Sequence, residues 1–257
     1  DIANFDNSFF KISKSDARLM DVRHRLVLQG VELALRNAGW GPRGGDFLNN
    51  RIVGVFVGID AADAGEAATK VAFAYDFTGP AHTVNAACSA SLVALHNARC
   101  SLQAGECDVA IVVGVNAFLE PRHESIFTYS NGRGRPFDET ADGYIPSEGC
   151  GAVILVDAAD TALQERGIHG ILKSTSVVQN GRGATAFAPN GAAQRHLLQT
   201  ALHSANVEGK DVDYLEAMAT GSSLSDSVEI AAAGDIFCGG RDPAHPLVVG
   251  AVKGTFG

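Results

Sequence analysis

Two apolar, β-branched runs constrain the fold of this chain more than any other feature. Residues 51–58 read RIVGVFVG, and residues 108–115 read DVAIVVGV. Strands that are apolar at nearly every position are typical of sheets covered on both faces, which are mostly parallel. Between these two runs, and between the predicted strands that follow them, lie segments whose apolar residues have the spacing of a helix. This alternation predicts an α/β fold, with helices packed on a parallel or mixed sheet.

The predicted elements follow one another along the chain. Helices are expected from apolar residues spaced three and four apart, or from alanine-rich composition, at 24–38, 61–74, 92–102, 122–129, 158–166, 190–205 and 225–237. Strands are expected at 51–58, just before residue 88, and at 108–115, 150–156, 212–217 and 247–252, and residues 168–178 are expected to be extended. Residues 1–21 are expected to be irregular, and 40–50 and 130–148 to be loops.

Composition narrows the function classes. The chain has 257 residues, 46% hydrophobic and 19% charged, which is typical of a globular protein and not of a disordered one. A net charge of −9 argues against a nucleic-acid partner. No apolar run has the length of a membrane span. The five cysteines form no CxxC pair, so we expect a reducing intracellular location, cytoplasmic or organellar.

Residues 83–91 (TVNAACSAS) join an extended segment to a helical one. The residues around Cys88 are small, and helical spacing begins directly after them. This pattern places Cys88 at the amino-terminal end of a helix, where free amides and the helix dipole favour negative charge. We expect such a cysteine to have a lowered pKa and a nucleophilic thiolate. The alternative is a buried, inert cysteine, as free cysteines commonly are, and the local sequence leaves both open.

Other motifs give no competing site. The glycine pairs at 132/134 and 181/183 do not continue as GxGxxG between a strand and a helix, so they are interpreted as turns. The His123-Glu124 pair lacks the second histidine of a zinc protease, and no Walker A pattern occurs. The eight histidines show no metal-ligand spacing, and no metal is expected.

The residues around Cys88 resemble a known family. Residues 87–96 (ACSASLVALH) are similar to the active-site box of β-ketoacyl synthases, in particular the ketosynthase domains of modular (type I) polyketide synthases. Further segments match in family order over nearly the whole chain, at 5–13, 20–25, 133–138, 141–144, 147–152, 188–191, 212–217 and 252–253. So many ordered matches make the resemblance specific.

The resemblance implies a thiolase-like fold, layered α/β/α/β/α, with mixed, mostly parallel sheets and usually a homodimer. Residues 1–257 would be one incomplete ketosynthase domain, with about 1–157 as its amino-terminal half and about 158–257 as the start of the second half. Since the chain lacks an initiator methionine and stops at Gly257, we expect an excerpt of a longer protein.

The resemblance also implies the chemistry. Cys88 would take an acyl group from the phosphopantetheine thioester of an acyl carrier protein. A malonyl thioester on a second carrier would then lose carbon dioxide and attack the acyl-cysteine, in a decarboxylative Claisen condensation. The expected partners are the carrier protein with its acyl and malonyl thioesters, with no tightly bound cofactor.

One departure from the family bears on activity. Residues 216–222 read EAMATGS where the family has Glu-Ala-His-Gly-Thr-Gly-Thr, so Met218 stands at the first catalytic histidine. A thioether cannot donate a proton to a developing enolate. The family's second histidine would follow directly after Gly257. We therefore expect acyl transfer to Cys88 to be retained and condensation to be weak.

The remaining site residues are implied by the resemblance alone. Thr220 and Ser222 match pantetheine-contacting positions, and Asp226, Glu229 and Lys253 match a supporting polar network. Local sequence offers a plainer interpretation, in which the hydroxyls cap a helix and the carboxylates form its solvated first turn. The segment between residues 58 and 75 is also shorter than the family pattern, in a region that usually helps to form the dimer and the acyl pocket.

Two further functions stay open. A non-elongating or inactive homologue would act in transacylation, or as a scaffold for carrier-protein docking and dimerisation. A thiolase or an acyl-CoA synthase would have the same fold. The reactivity of the Cys88 thiol separates a catalyst from a scaffold, because a scaffold has no need of a low-pKa thiol.

Overall fold

The computed structural model describes residues 4–60, 65–119, 133–160, 167–183, 185 and 188–256. The chain forms two compact units. The first combines Asp1–Glu120 with Glu148–Ile171, and the second combines Pro121–Ser147 with Leu172–Gly257. Within the described ranges, no helix combines the length and the apolar character that a membrane span needs.

The helices of the first unit begin at side-chain caps or small residues. Helix α1 (Lys14–Leu19) follows Ser13, whose Oγ accepts a hydrogen bond from the amide of Asp16. Helix α2 (Val22–Asn37) follows Asp21, whose carboxylate accepts one from the amide of Arg23. A 3₁₀ segment, then α3 and α4 complete the set, at Pro42–Leu48, Ala67–Tyr75 and Ala90–Gln103. Such caps satisfy amides that have no partner inside the helix.

A four-stranded sheet forms the centre of the first unit. Its strands are β1 (Val53–Ile59), β2 (Ala81–Val84), β3 (Val109–Asn116) and β4 (Gly149–Val156), in the order β2-β1-β3-β4. Strand β1 is parallel to both β2 and β3, whereas β4 is antiparallel to β3. The covered runs in the sequence correctly predict β1 and β3, which are buried almost throughout.

The two faces of this sheet differ in side-chain size. On one face, valines and isoleucines alternate along β1 and β3 and pack with α2 and α3 in the main hydrophobic core. On the other face, Phe56, Ala110 and Val112 pack with Ala94 and Ala98 of α4. Two glycines, Gly58 and Gly114, share the α4 face because strand side chains alternate. The small residues on this face allow α4 to approach the sheet closely.

The second unit contains a shorter sheet. Strands β5 (Tyr214–Glu216) and β6 (Val248–Gly250) are parallel, and a 3₁₀ turn at Gly209–Asp211 precedes β5. Helix α5 (Gly191–Ala205) packs against α6 (Ser223–Phe237), and α7 (Lys253–Phe256) follows β6. Asn190 caps α5, with its Oδ1 accepting from the amides of Ala192 and Ala193.

Four sequence predictions need correction. Residues 14–19 are helical rather than irregular, because Ser13 provides a cap, and part of the expected 40–50 loop is a 3₁₀ segment. Residues 168–178 pair with no strand of the described sheets, and a strand requires a hydrogen-bonded neighbour. The helix expected at 61–74 begins at Ala67, after undescribed residues 61–64. Residues 122–129 and 161–166, also expected to be helical, lie outside the described residues.

Candidate active site

Cys88 lies in the nucleophile turn, residues 85–89, between the end of β2 and the start of α4. The structure leaves Cys88 exposed, next to the first turn of the helix. Ala87, directly before it, has φ of 48°, in the left-handed region that non-glycine residues seldom adopt. The prediction of a sharp strand-to-helix turn is confirmed, and the alternative of a buried Cys88 is wrong.

Two glycines of the sheet set how closely α4 approaches. A Cβ atom added to Gly58 would lie 2.4 Å from the amide nitrogen of Ser91, and one added to Gly114 would lie 2.8 Å from the Ser91 Cβ. No side chain fits at either position, so the first turn of α4 rests directly on β1 and β3. Both glycines lie within the strands predicted at 51–58 and 108–115. A glycine inside a covered strand is itself a signal of close backbone approach.

Side chains and amides within the turn hold its shape. The Oδ1 of Asn85 accepts a hydrogen bond from the amide of Ala87 at 3.2 Å. The carbonyl oxygen of Ala86 accepts from both the amide of Ser89, at 3.2 Å, and the hydroxyl of Ser89, at 2.8 Å. The amide of Ala90 donates to the carbonyl of Ala87 at 3.0 Å. The turn is therefore fixed on both sides of the left-handed residue.

The other cysteines differ from Cys88 in their surroundings. Cys107 is buried, and this burial raises the pKa of its thiol. The sulfur of Cys150 lies 3.4 Å from the carbonyl of Leu26, and desolvation raises the pKa of this thiol to about 11, although the residue as a whole is exposed. Cys100 and Cys238 are exposed. At neutral pH, Cys107 and Cys150 are thus the less reactive thiols.

In the second unit, the 217–222 loop carries Met218, and Glu229 holds this part of the loop. The Oε1 of Glu229 accepts from the amide of Met218 at 2.7 Å, and its Oε2 accepts from the amide of Ala219 at 2.8 Å. Ala219 has φ of 42°, so the backbone is left-handed here as well. The Met218 side chain is 54% exposed. The Glu229 carboxylate therefore holds the backbone at residue 218, and both of its hydrogen bonds go to backbone amides.

Asp226 joins the same loop to a distant segment of the second unit. It is 4% exposed, and its Oδ2 accepts from the amides of Phe137, at 2.9 Å, and Gly221, at 3.2 Å. The amide of Gly143 donates to the carbonyl of Gly221 at 2.9 Å. Asp226 is thus a buried tie between loops, and the interpretation of it as part of a solvated first turn is wrong.

The remaining predicted residues lie near this loop or in it. Ser222 occupies the cap position of α6, but its side chain makes no capping hydrogen bond. Thr220 and Lys253 line one small cleft together with Gly143 and Tyr144. The structure therefore brings Thr220, Ser222, Asp226, Glu229 and Lys253 together within the second unit, and Cys88 belongs to the first. Across the described residues, no group of three or more His, Cys, Asp or Glu could hold a metal ion.

An exposed cysteine at a helix end, on a mixed sheet covered by helices, is the arrangement that the resemblance to the thiolase-like fold class predicts. The comparisons with known proteins narrow this class. The family model "Beta-ketoacyl synthase, N-terminal domain" matches residues 1–70 and 64–161, and the model "Beta-ketoacyl synthase, C-terminal domain" matches residues 169–257. The chain belongs to the β-ketoacyl synthase family.

Solved structures confirm the predicted thiolase-like α/β fold. The ketosynthase from module 6 of the bacillaene synthase of Bacillus subtilis has a TM-score of 0.89 and 31% identity, over 99% of this chain and 48% of that one. An oxazolomycin ketosynthase domain of Streptomyces albus has a TM-score of 0.85 and 33% identity, over 98% of this chain and 64% of that one. This chain resembles ketosynthase domains of polyketide assembly over its full length.

Curated relatives are longer. The cluster 41 polyketide synthase of Aspergillus flavus is 35% identical over 100% of this chain and 25% of its own length. The 6-methylsalicylic acid synthase of Aspergillus niger is also 35% identical, over 100% of this chain and 16% of its own length. This chain thus spans a quarter or less of either relative.

The comparisons also bear on the segment between β1 and α3. The Aspergillus flavus alignment runs over 282 positions, 25 more than the 257 residues of this chain. The amino-terminal family model matches in two stretches that meet at residues 64–70. The junction of the two model matches lies within the 58–75 segment, where the shortening is expected.

Proposed function

We propose that this chain is the acyl-accepting part of a polyketide ketosynthase, in which Cys88 takes an acyl group from the phosphopantetheine thioester of an acyl carrier protein. The single observation that carries this proposal is the exposed Cys88 at the start of α4, on a left-handed turn packed against two strand glycines. The polyketide synthase name of the Aspergillus flavus relative gives the class of acyl substrate.

The acyl transfer is a thioester exchange. The Cys88 thiolate attacks the carbonyl carbon of the bound thioester, and a new carbon–sulfur bond forms. Backbone amides at the start of a helix stabilise the developing oxyanion, since they point toward the reacting group and carry partial positive charge. Collapse of the tetrahedral intermediate breaks the original carbon–sulfur bond. The pantetheine thiolate leaves and takes up one proton, so the acyl group remains on Cys88.

The second half-reaction requires more than Cys88. Cleavage of the malonyl carbon–carbon bond releases carbon dioxide and leaves an enolate. The enolate carbon attacks the acyl-cysteine carbonyl, a carbon–carbon bond forms, and the Cys88 thiolate is released. A proton donor stabilises the enolate oxygen in such a step. Met218 has no proton to donate, so we propose that condensation is slow compared with acyl transfer.

The second unit is proposed to hold the carrier arm. Thr220 and Ser222 would contact the pantetheine with their hydroxyls, while Asp226, Glu229 and Lys253 support the loop that carries them. The hydrogen bonds of Glu229 and Asp226 to this loop support that role. The acyl carrier protein is the proposed partner, a homodimer the proposed assembly, and a single ketosynthase domain the proposed unit of organisation.

Mass spectrometry of the protein after incubation with an acyl-carrier thioester tests the proposal. We expect one acyl adduct on the peptide that contains Cys88, and none in the Cys88→Ala variant. Cys100→Ala, which removes another exposed thiol, is the matched control and should keep the adduct. An absent adduct, or one that persists in Cys88→Ala, would overturn the assignment.

A second function follows from Met218. A ketosynthase that accepts and passes on an acyl group without elongating it needs Cys88 but not the general acid at residue 218. Transfer of a labelled acyl group between two carriers, without carbon dioxide release from malonyl thioester, would identify this transacylase. If neither reaction occurs and the alkylation profile of Cys88 matches that of a free cysteine, the protein is a docking scaffold.

A further inference from the structure

The residue before Cys88 stores backbone strain. Ala87 has φ of 48°, and an L-residue other than glycine pays for this left-handed conformation through contacts of its Cβ. Strained residues persist where their surroundings over-determine them, and they cluster at functional sites. The backbone of Ala87 sets the direction in which the chain enters residue 88, and Cys88 is exposed in this arrangement.

One side chain holds the amide of this strained residue. The Oδ1 of Asn85 accepts from the Ala87 amide at 3.2 Å, which closes a local turn of a kind that asparagine favours. The Ser89 bonds described above hold the opposite side of the same peptide, at the carbonyl of Ala86. Asn85 is therefore the only side chain among the described residues that bonds to the Ala87 amide.

We infer that Asn85 is a positioning residue for Cys88, which acts by keeping Ala87 in its left-handed conformation. This inference rests on the proposed function, in which Cys88 is the nucleophile. Asn85 needs no contact with the acyl group in this role. Without its Oδ1 the backbone at residue 87 relaxes toward the right-handed region, and the thiol is presented for a smaller fraction of the time.

Alkylation of Cys88 by iodoacetamide, followed by peptide mass spectrometry across pH, measures this presentation. Asn85→Ala should lower the plateau rate roughly two- to tenfold, the range expected for loss of one neutral hydrogen bond. Asn85→Asp keeps an acceptor oxygen and should keep the plateau rate. Its negative charge should move the midpoint of the profile to higher pH, because a nearby anion disfavours the thiolate.

A double variant tests the mechanism itself. Glycine adopts positive φ without a Cβ penalty, so Ala87→Gly should make Asn85 dispensable. We expect Ala87→Gly and Asn85→Ala/Ala87→Gly to alkylate at equal rates, both close to the original protein. This comparison holds even if Asn85→Ala alone fails to fold.

Asn190→Ala is the matched control. The Oδ1 of Asn190 likewise accepts a hydrogen bond from the amide two residues on, that of Ala192, but it does so at the start of α5. Its loss should leave Cys88 alkylation unchanged.

Two outcomes overturn the inference alone, namely an unchanged plateau in Asn85→Ala and a double variant that stays slow. If Cys88 of the original protein reacts no faster than a free cysteine peptide, the proposed function fails instead.

Discussion

The nucleophile turn and the 217–222 loop are held by different forces. Around Cys88, small residues and two strand glycines allow direct backbone packing, and the side chains that bond to the turn, Asn85 and Ser89, are neutral. Around Met218, two carboxylates from α6 accept four backbone hydrogen bonds. The first region carries the proposed nucleophile, Cys88. In the second, the carboxylates hold a loop whose residue 218, the proposed position for proton transfer, is a methionine.

This difference shows that the backbone position of residue 218 is set separately from the type of side chain that residue 218 carries. Glu229 bonds to the amides of Met218 and Ala219, and neither bond depends on the side chain at residue 218. The hydrogen bonds of Asp226 described above likewise go to backbone amides. The backbone of this loop is therefore held independently of the side chain at residue 218, so a change of that side chain need not disturb the surrounding structure.

The largest expected effect comes from restoring that group. Met218→His should raise malonyl decarboxylation by about 10²–10⁴-fold, the usual contribution of a positioned general acid or base. The measurement is carbon dioxide release from malonyl-carrier thioester by the full-length protein. Met218→Leu, similar in size but unable to transfer a proton, is the control and should change little. A full-length protein with Met218 that already condenses at ordinary ketosynthase rates would contradict this explanation.

The next effect tests the packing beneath the nucleophile turn. Gly58→Ala places a methyl group against the backbone of Ser91, which cannot move without shifting α4. Overpacking of this kind costs about 1–3 kcal/mol or more, so the free energy of unfolding in urea should fall by that amount. Cys88 alkylation should fall with it.

Gly151→Ala provides the control for this packing, because an added Cβ on β4 meets no atom within 4 Å among the described residues. Gly114→Ala should be milder than Gly58→Ala, since it meets a side-chain atom of Ser91, and Ser91→Gly should relieve it. If Gly58→Ala and Gly151→Ala are equally stable, α4 does not depend on close packing.

A third prediction concerns the carboxylate frame. Glu229→Ala leaves the amides of Met218 and Ala219 without their acceptor, and hydrogen bonds to charged groups contribute about 1.5–3 kcal/mol each. Hydrogen exchange should therefore accelerate at these two amides. Glu229→Gln keeps one acceptor oxygen and should give an intermediate rate, while Asp235→Ala, on the same helix, should give none of this change. Equal protection from hydrogen exchange in all three variants would show that the 217–222 loop keeps its conformation without the Glu229 carboxylate.

The sequence predicts the first region better than the second. Small residues followed by helical spacing are local signals, and they correctly place Cys88 between β2 and α4. The local sequence indicates that Asp226 is a solvated carboxylate in the first turn of a helix. In the fold its carboxylate is buried and accepts from the amide of Phe137, 89 residues away. Local patterns carry no information about such a contact. The left-handed conformation of Ala87 was missed for a related reason, since it is imposed by Asn85, Ser89 and the packed helix rather than by alanine itself.

The smallest expected effect is a pH dependence of the free energy of unfolding. It comes from a histidine of the first unit that lies outside the nucleophile turn. His24, at the start of α2, is 4% exposed, and neither ring nitrogen has a hydrogen-bond partner among the described residues. Burial lowers its pKa, against the opposing influence of Asp21. The unfolded chain therefore takes up a proton near pH 6.5, the ordinary value for histidine, before the folded protein does.

As pH falls below about 6.5, the unfolded state binds more protons and the free energy of unfolding should decrease, by up to about 1.4 kcal/mol per pH unit, until the lowered pKa of His24 is reached. His24→Gln should remove this slope, whereas His203→Gln, on α5, should retain it. Asp21 does not interfere, because Arg23 lowers the pKa of its carboxyl below the ordinary value of 3.8, so that this group titrates in more acidic solution. Urea unfolding between about pH 5 and pH 7.5 measures the slope. The side chains that hold the nucleophile turn, Asn85 and Ser89, do not titrate, so we expect no contribution from them to this slope. A slope that persists in His24→Gln would mean that another ionisable group of the protein carries the pH dependence, and the assignment to His24 would fail.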